Sequence, residues 1–189
     1  DADFTNTLVT VSITGSKVWE DQSNNYGTRP QDIVLTVYAD GAELTPQPEI
    51  TWTKIGDTWT YTISGLPRYQ SGTTTDINYS VVETAIPGYA PAPDATGTVD
   101  DETRDVADAD FTNTLVTVSI TGSKVWEDQS NNYGTRPEDI VLTVYADGAE
   151  LTPQPEITWT KIGDTWTYEI SGLPRYQSGT TTDINYSVV

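Results

Sequence analysis

The chain contains no cysteine, histidine or methionine among its 189 residues, and its 9 basic side chains face 28 acidic ones. Without cysteine or histidine it can form no disulfide, no zinc finger and no Ser-His-Asp triad. The formal net charge of -19 repels phosphate backbones and anionic lipid, so we expect neither nucleic acid nor a membrane surface as a partner.

Long hydrophobic runs are missing as well. No stretch approaches the roughly 20 apolar residues that span a bilayer, and no signal peptide opens the chain. Because it lacks an initiator methionine, we expect a fragment of a longer protein. The six tryptophans and eleven tyrosines are ample material for a core, which predicts a folded acidic protein rather than a disordered one.

The strongest pattern is an internal repeat. Residues 1–82 recur as residues 108–189 with two differences, Gln31 against Glu138 and Thr62 against Glu169. The period is the size of a whole domain, which indicates a tandem array. We expect residues 1–7 to be the last strand of a preceding repeat. The first repeat is then 8–114, and the second repeat is 115–189, which stops before its end.

Strand signals dominate each repeat. Alternating runs rich in Val, Ile, Thr, Tyr and Trp predict strands at 8–13 (LVTVSI), 33–39 (IVLTVYA), 58–63 (TWTYTI) and 77–82 (INYSVV). Turn residues separate them, and no segment has a sustained helical period. Short strands with regular turns predict an all-β fold, an antiparallel β-sandwich. The acid-rich stretch 94–110 is interpreted as a surface loop.

Three predicted strands each place a polar residue on an apolar face. Side chains alternate along a strand, so Lys17 continues the apolar face of the first strand unless Gly15 forms a bulge. Glu83 continues the face of the strand from Ile77, and Asn113 lies between two apolar residues. The apolar members are Val9, Val11, Ile13 and Trp19; Ile77, Tyr79 and Val81; and Phe111 and Leu115.

The residues alone leave two interpretations open. Lys17 and Glu83 could form an ordinary ion pair at the sandwich edge, or extend to solvent. Alternatively, burial favours the neutral forms of both. The neutral amine of Lys17 could then attack the amide of Asn113 while Glu83 moves protons, so that ammonia leaves and an amide joins the two side chains.

The whole unit resembles the Cna B-type domain of Gram-positive surface proteins. The resemblance rests on Lys17 in GSKVWED, Arg29-Pro30 followed by DIVLTVYADG, and then WTYTISGLPRY, VVETAIPGY and FTNT in that order. It implies an inverse immunoglobulin-like sandwich with a self-formed isopeptide bond. The family's lysine, catalytic acid and terminal asparagine fall on Lys17, Glu83 and Asn113.

The second repeat departs from this pattern. Lys124 matches the family lysine, but the acid and the asparagine would lie beyond Val189, so we expect no intramolecular bond there. Asn113 is not expected to serve Lys124, because successive repeats would hold these residues about one domain length apart. Residues 1–7 of a neighbouring molecule could instead add a strand to the second repeat and bring Asn6 to Lys124. Without the acid, that bond should form slowly or not at all.

For the other candidate sites, a structural role is expected rather than binding of a ligand. Lys54 lies beside a predicted hairpin turn and is expected to be exposed. Trp52 and Trp59 could stack on a sugar, but tryptophans in a sandwich usually belong to the core. The acidic stretch 94–110 could bind calcium but lacks EF-hand spacing, so we expect no metal site and no cofactor.

The resemblance predicts a structural function. We expect tandem sandwiches to form an extracellular stalk on a cell-wall-anchored surface protein, whose anchor is not in this sequence, with neighbouring repeats as partners and no enzymatic activity beyond one self-directed reaction. An adhesive module that binds a host ligand is the first alternative, although the nearly identical loops of the two repeats favour a spacer. A split domain that couples chains covalently is the second.

Overall fold

The computed structural model of the chain describes residues 3–189, and every regular element in that range is a β-strand. Those residues accordingly include no helix that is long and apolar enough to cross a membrane. The strands are β1 (Thr10–Glu20), β2 (Leu35–Ala39), β3 (Ala42–Glu43), β4 (Ile50–Ile55), β5 (Thr58–Pro67), β6 (Tyr79–Glu83), β7 (Thr98–Val99), β8 (Val106–Ala107), β9 (Phe111–Thr114), β10 (Thr117–Val125), β11 (Val144–Ala146), β12 (Ala149–Glu150), β13 (Thr158–Ile162), β14 (Thr165–Pro174) and β15 (Tyr186–Val188).

Two sheets enclose the core of the first repeat. The larger has the order β4-β5-β1-β8-β7, with β9 also paired to β1, and the smaller has the order β3-β2-β6. Alternating residues of β1 and β5 and of β2 and β6 meet in one buried cluster, so the core lies between the sheets. Its members from these four strands are Val11, Ile13, Tyr61, Ile63, Leu66, Leu35, Val37, Tyr79 and Val81. The all-β fold and the sandwich expected from the sequence are confirmed.

The second repeat has two three-stranded sheets in the described residues, β10-β14-β13 and β12-β11-β15. The pairing of β10 with β14 repeats that of β1 with β5, down to the same register shift. In the described part of the chain, β10 has no neighbour on the edge where β1 carries β8 and β9.

Several predicted strand limits are corrected by the structure. The first strand starts at Thr10 rather than Leu8, and Leu8 and Val9 are exposed. Thr10 is paired with Pro67, the last residue of β5, and past this pair the Arg68 amide still donates to the Val9 carbonyl at 3.0 Å, but Leu8 and Val9 do not continue the ladder. Similarly, β2 and β6 start two residues later than expected, because their ladder runs only from Leu35 opposite Glu83 to Ala39 opposite Tyr79.

The acidic stretch 94–110 is not the surface loop that its charge suggests. It contains β7 and β8, and Ala95, Val106 and Ala109 are buried in the core. Two of its aspartates fasten it to β1. Asp105 accepts hydrogen bonds from the Ser12 amide and hydroxyl at 2.6 and 3.0 Å, and Asp110 accepts the same pair from Ser16 at 2.6 and 2.9 Å.

Gly15 does not interrupt the alternation of β1, and it lets the backbone at Ala109 approach closely. The register shift lies between Val11 and Ile13, where β5 has the extra residue at Ser64-Gly65, so the alternation on β1 is uninterrupted. A Cβ on Gly15 would lie 2.1 Å from the carbonyl oxygen of Ala109. That oxygen accepts a 2.5 Å hydrogen bond from the hydroxyl of Tyr61. The absence of a side chain at position 15 therefore allows the segment before β9 to lie against β1.

We expect Gly15→Ala to destabilise the first repeat by about 1–3 kcal/mol, because backbone at Ala109 must move. The matched change Gly122→Ala should cost less, since the obstacles there are side-chain atoms of Tyr168, the hydroxyl and two ring carbons 2.4–2.6 Å from the added Cβ, and a side chain can turn aside more easily than backbone. Denaturant midpoints of the two repeats, resolved by their amide NMR signals, measure both. Equal costs at the two positions would contradict this account of Gly15.

Candidate functional site

The three polar residues predicted on apolar faces meet in the core of the first repeat. Lys17 lies in β1, Asn113 lies in the neighbouring parallel strand β9, and Glu83 ends β6 in the facing sheet. In the parallel register Lys17 is opposite Phe111 and Trp19 is opposite Asn113, so the lysine and asparagine are diagonal neighbours on one face. The alternation argument therefore placed all three side chains in the interior.

Lys17 and Glu83 form a close ion pair across the sandwich. The Nζ of Lys17 lies 2.8 Å from Oε1 of Glu83 and donates a hydrogen bond to Oε2 at 3.0 Å. Their side chains are 0% and 3% exposed. The interpretation that both extend to solvent is therefore wrong for this structure, and a charge here without its partner would cost several kcal/mol, about 3–5.

Burial dominates the electrostatics of the lysine. Desolvation lowers the pKa of Lys17, although the hydrogen bond and the charge of Glu83 act in the opposite direction. A lowered pKa reduces the free energy needed to form the neutral, nucleophilic amine of Lys17. The carboxylate of Glu83 lies within hydrogen-bond distance and can accept the proton that the lysine loses.

Asn113 lies in the same interior with one atom unsatisfied. The residue is 1% exposed, and its Oδ1 has no hydrogen-bond partner among the described residues. Buried amide oxygens are nearly always paired, so this one is unusual. The strand is fixed at its far end, where the Thr114 hydroxyl donates to Glu20 at 2.7 Å and the Leu115 amide donates to the Glu20 carbonyl at 3.0 Å.

Trp19 forms a wall of this site. The Lys17 Nζ lies 4.6 Å from the centre of its ring, and the Arg29 guanidinium lies 5.2 Å from it. Trp59 and Tyr89 pack edge-on against the same ring, each with centroids 5.2 Å away. The amine therefore lies against one face of an aromatic cluster, and its side chain is 0% exposed, so water is excluded from it.

A second buried polar cluster was missed by the sequence argument. Asp21 is 2% exposed and accepts hydrogen bonds from the Nε and Nη2 of Arg29 at 2.9 and 2.5 Å and from the Tyr89 hydroxyl at 3.0 Å. Arg29 also donates to Asp57 at 2.8 Å and to the Gly56 carbonyl at 2.9 Å. Asp21 lies in the WED segment and Arg29 in the TRP segment. Only the folded structure, which brings these segments together, shows that the two residues form a pair.

Chemically, the Lys17 site combines an amine, a proton acceptor and a carboxamide in a dry interior. These are the groups that an acyl transfer from Asn113 to Lys17 requires, and no external substrate is needed. In the described residues no group of three acidic side chains is arranged to hold a metal ion.

The residues implicated in coupling between chains lie on the surface. Lys124 in β10 is exposed, with its Nζ 5.0 Å from the centre of the Trp126 ring. Asn6 is exposed, and Phe4 beside it is 93% exposed. The structure does not bring Asn6 and Lys124 together within one chain. Residues 1 and 2 of the predicted strand 1–7 lie outside the described residues.

The remaining candidates have structural contacts. Lys54 is exposed in β4 beside the β4–β5 turn, as expected, and its Nζ lies 2.9 Å from Asp32 and 4.5 Å from the Trp59 ring centre. Trp59 is buried and Trp52 packs against it, so the pair forms core rather than a platform for sugar.

Comparison with known proteins places these features in a family. A family model described as the Cna protein B-type domain matches residues 13–113 and 120–189. The chain is 33% identical over 171 residues to the collagen adhesin of Staphylococcus aureus, covering 89% of this chain and 13% of that protein. It therefore spans only a small part of that relative's length.

Two solved structures from the same organism are also similar. The crystal structure of two B repeat units (B1B2) of the collagen binding protein has 28% identity and a TM-score of 0.41, with 95% of this chain and 43% of that chain covered. The crystal structure of a single B repeat unit (B1) has 26% identity and a TM-score of 0.34, with 95% and 84% covered.

The pKa of Asp21 gives a test of the second cluster. Burial would raise this pKa, but hydrogen bonds from Arg29, Asn24 and Tyr89 outweigh it and hold the pKa below its usual value. An acid with a depressed folded pKa stabilises above its unfolded pKa of about 3.9, and this contribution is lost as the pH falls through the folded value.

We therefore expect Asp21→Asn to lower the unfolding free energy by about 1.5–3 kcal/mol at pH 7, with a difference from the wild type that shrinks below about pH 4. Denaturant titrations between pH 7 and pH 2 measure it. Asp32→Asn, at an exposed surface pair, is the control and should change little. A difference that stays constant over the whole range would contradict a role for the Asp21 charge.

Proposed function

Because the chain belongs to the Cna protein B-type domain family, we propose that it is a stalk or spacer segment of a bacterial surface adhesin whose first repeat is locked by an isopeptide bond between Lys17 and Asn113. The family resemblance inferred from the sequence is confirmed. The observation that carries the proposal is the buried contact of Lys17 with Glu83 on the same interior as Asn113, whose Oδ1 lacks a hydrogen-bond partner among the described residues.

The reaction needs only these three side chains. Glu83 accepts one proton from the Lys17 ammonium, and the neutral Nζ attacks Cγ of Asn113. A bond from Nζ to Cγ forms, and the bond from Cγ to Nδ2 breaks after Glu83 returns this proton to the leaving nitrogen. Glu83 then takes the second proton, which Nζ loses as it becomes an amide nitrogen. One ammonia is released, and a secondary amide joins the two residues. Glu83 acts once in each molecule, so the module is not an enzyme for external substrates.

The cross-link suits a part that resists pulling. It joins β1 to β9, which are the first and last strands of the first repeat and lie side by side in parallel. By analogy with a disulfide, closing a loop of about 96 residues stabilises the fold by about 4–5 kcal/mol. A force applied along the chain enters at Lys17 and leaves at Asn113 without loading the strands between them.

The same family membership supports the setting. We place the protein outside the cell, on a cell-wall-anchored surface protein, with neighbouring repeats of the same chain as its partners. The relative in Staphylococcus aureus is a collagen adhesin, and its B repeat units occur in tandem. Near-identical repeats suit a spacer because length must be repeated, whereas a binding site need not be.

A second use of the same chemistry is supported by the open edge of β10. In the described residues this edge has no partner, Lys124 is exposed, and residues 4–7 have the same sequence as β9. Residues 4–7 of another chain could pair with β10 as β9 pairs with β1 and bring Asn6 to Lys124. No carboxylate forms an ion pair with Lys124 in the described part of the chain, so this coupling between chains should be slow.

The intact mass of the chain tests the cross-link. We expect the wild type to be lighter than its sequence by one ammonia and Glu83→Gln to have its full sequence mass, because the variant cannot accept the lysine proton. Lys17→Arg should also have its full mass. Lys124→Arg is the matched control in the second repeat and should keep the loss.

A wild-type mass equal to the sequence would contradict the isopeptide bond and leave Lys17 and Glu83 as an ion pair. The same spectra test the coupling between chains. It predicts a covalent dimer that grows with concentration and disappears in both Lys124→Arg and Asn6→Ala, while the loss within each chain persists.

Pulling a single chain by its ends tests the mechanical role. With Lys17 joined to Asn113, about 96 residues cannot extend, so the wild-type contour should be shorter than that of Glu83→Gln by roughly 320–350 Å. Force spectroscopy measures the difference directly. Equal contour lengths, in samples whose masses show the ammonia loss, would place the cross-link elsewhere.

A further inference from the structure

Two tyrosines at equivalent positions in the repeats have different surroundings. Tyr26 and Tyr133 both follow Asn-Asn and precede Gly in identical loops. Tyr133 is 75% exposed. Tyr26 instead packs against the core cluster of the second repeat, whose buried members are Val144, Ile170 and Leu173. The same loop is therefore free in one repeat and docked on the following repeat in the other.

The docked loop also makes hydrogen bonds to the second repeat. The Nε2 of Gln22 donates to the carbonyl oxygen of Gly172 at 2.7 Å. The Ser178 hydroxyl donates to the carbonyl oxygen of Gly27 at 3.4 Å. A Cβ on Gly172 would lie 2.6 Å from that same Nε2, so the glutamine amide approaches where only a glycine leaves room.

The receiving surface is a groove between the end of β14 and the loop after β12. Its lining includes Leu151, Pro174, Ile184 and Tyr186. Pro174 is buried, whereas its equivalent in the first repeat, Pro67, is exposed. Burial, together with the nearby Tyr26 phenol, raises the pKa of Tyr186 to about 12. The first repeat has identical residues at these positions, where Pro67 is exposed, Leu44 and Ile77 are half-buried and Tyr79 is 7% exposed.

The loop has its docking shape whether or not it is docked. Three successive residues have positive φ in both copies, 57, 54 and 57° at residues 22–24 and 57, 57 and 60° at residues 129–131. Asn24 accepts a hydrogen bond from the Arg29 amide at 2.9 Å, and Asn131 accepts one from Arg136 at 3.0 Å. The Asp21–Arg29 cluster and its equivalent, Asp128–Arg136, hold the ends. A preformed loop loses little entropy when it binds.

We propose that this loop is a clasp that inserts its tyrosine into the groove of the next copy of the repeat. Tyr26 closes the clasp within the chain. The Tyr133 loop and the groove at Leu44, Pro67, Ile77 and Tyr79 are the two open halves, and each takes another copy of the same repeat in head-to-tail order. The clasp sets the angle between repeats and does not depend on the Lys17–Asn113 cross-link.

Relaxation of backbone ¹⁵N nuclei in the dilute 189-residue chain tests the closed clasp. We expect one shared rotational correlation time for both repeats in the wild type and in Tyr133→Ser. Tyr26→Ser should give each repeat its own shorter correlation time, while the amide shifts of both cores stay in place. Shared tumbling that survives in Tyr26→Ser, or independent tumbling in the wild type, would overturn the proposal.

The open halves are tested between chains. Only Leu115 and Val116 separate β9 from β10, and a link this short gives an effective concentration in the millimolar range or above, so a clasp that is closed within the chain should bind between chains near 1 mM. At 0.15 M salt or above, which screens the repulsion between acidic chains, we expect concentration-dependent shifts of amides around Leu44, Ile77 and Tyr79. Tyr133→Ser should abolish them. Absence of these shifts in the wild type, or their persistence in Tyr133→Ser, would refute docking of further copies.

Discussion

The ion pair between Lys17 and Glu83 is the constraint on which the first repeat is organised. A charge in a dry interior is tolerated only beside its partner, so β1 and β6 must face each other at this level of the sandwich. Trp19 and its aromatic neighbours then close the space around the amine. An isolated pair of this kind adds little net stability, which is a reason to seek a chemical purpose for it.

Acidic residues of the segment 94–110 position Asn113, the third member of the site. Asp105 and Asp110 accept hydrogen bonds from two serines of β1, and the backbone of Ala109 fits over Gly15. Hydrogen bonds from Ser12 hold the pKa of Asp105 below its usual value. Asn113 therefore reaches the core because a charged segment is fastened along β1. The acidic composition of 94–110 predicted a surface loop, because neither charge nor periodicity shows which serines these carboxylates will bind.

The sequence predicts features that depend on neighbouring residues of one strand, and it does not predict features that depend on contacts between distant segments. Alternation along a strand is local, so it placed Lys17, Glu83 and Asn113 inside and survived the bulge, which falls on β5 rather than at Gly15. The ends of ladders depend on the partner strand, and the predicted start at Leu8 was wrong for that reason. The Asp21–Arg29 pair joins β1 to a loop, which no periodic pattern reports.

Comparison of the two repeats shows which features of a residue's surroundings follow from its local sequence and which depend on the neighbouring structure. Their loops are almost identical, yet the Asp21 side chain is fully buried where Tyr89 covers it, and its equivalent Asp128 is 21% exposed. Tyr26 and Tyr133 differ in exposure because only Tyr26 has a following repeat to pack against.

A stiff array needs both strength within each repeat and a fixed angle between repeats. A covalent tie can provide only the first, because Lys17 and Asn113 belong to one sandwich, so the angle must come from contacts across the junction. The loop that holds Arg29 against Trp19 is also the loop that carries Tyr26, so the packing around Lys17 is joined to the packing between repeats.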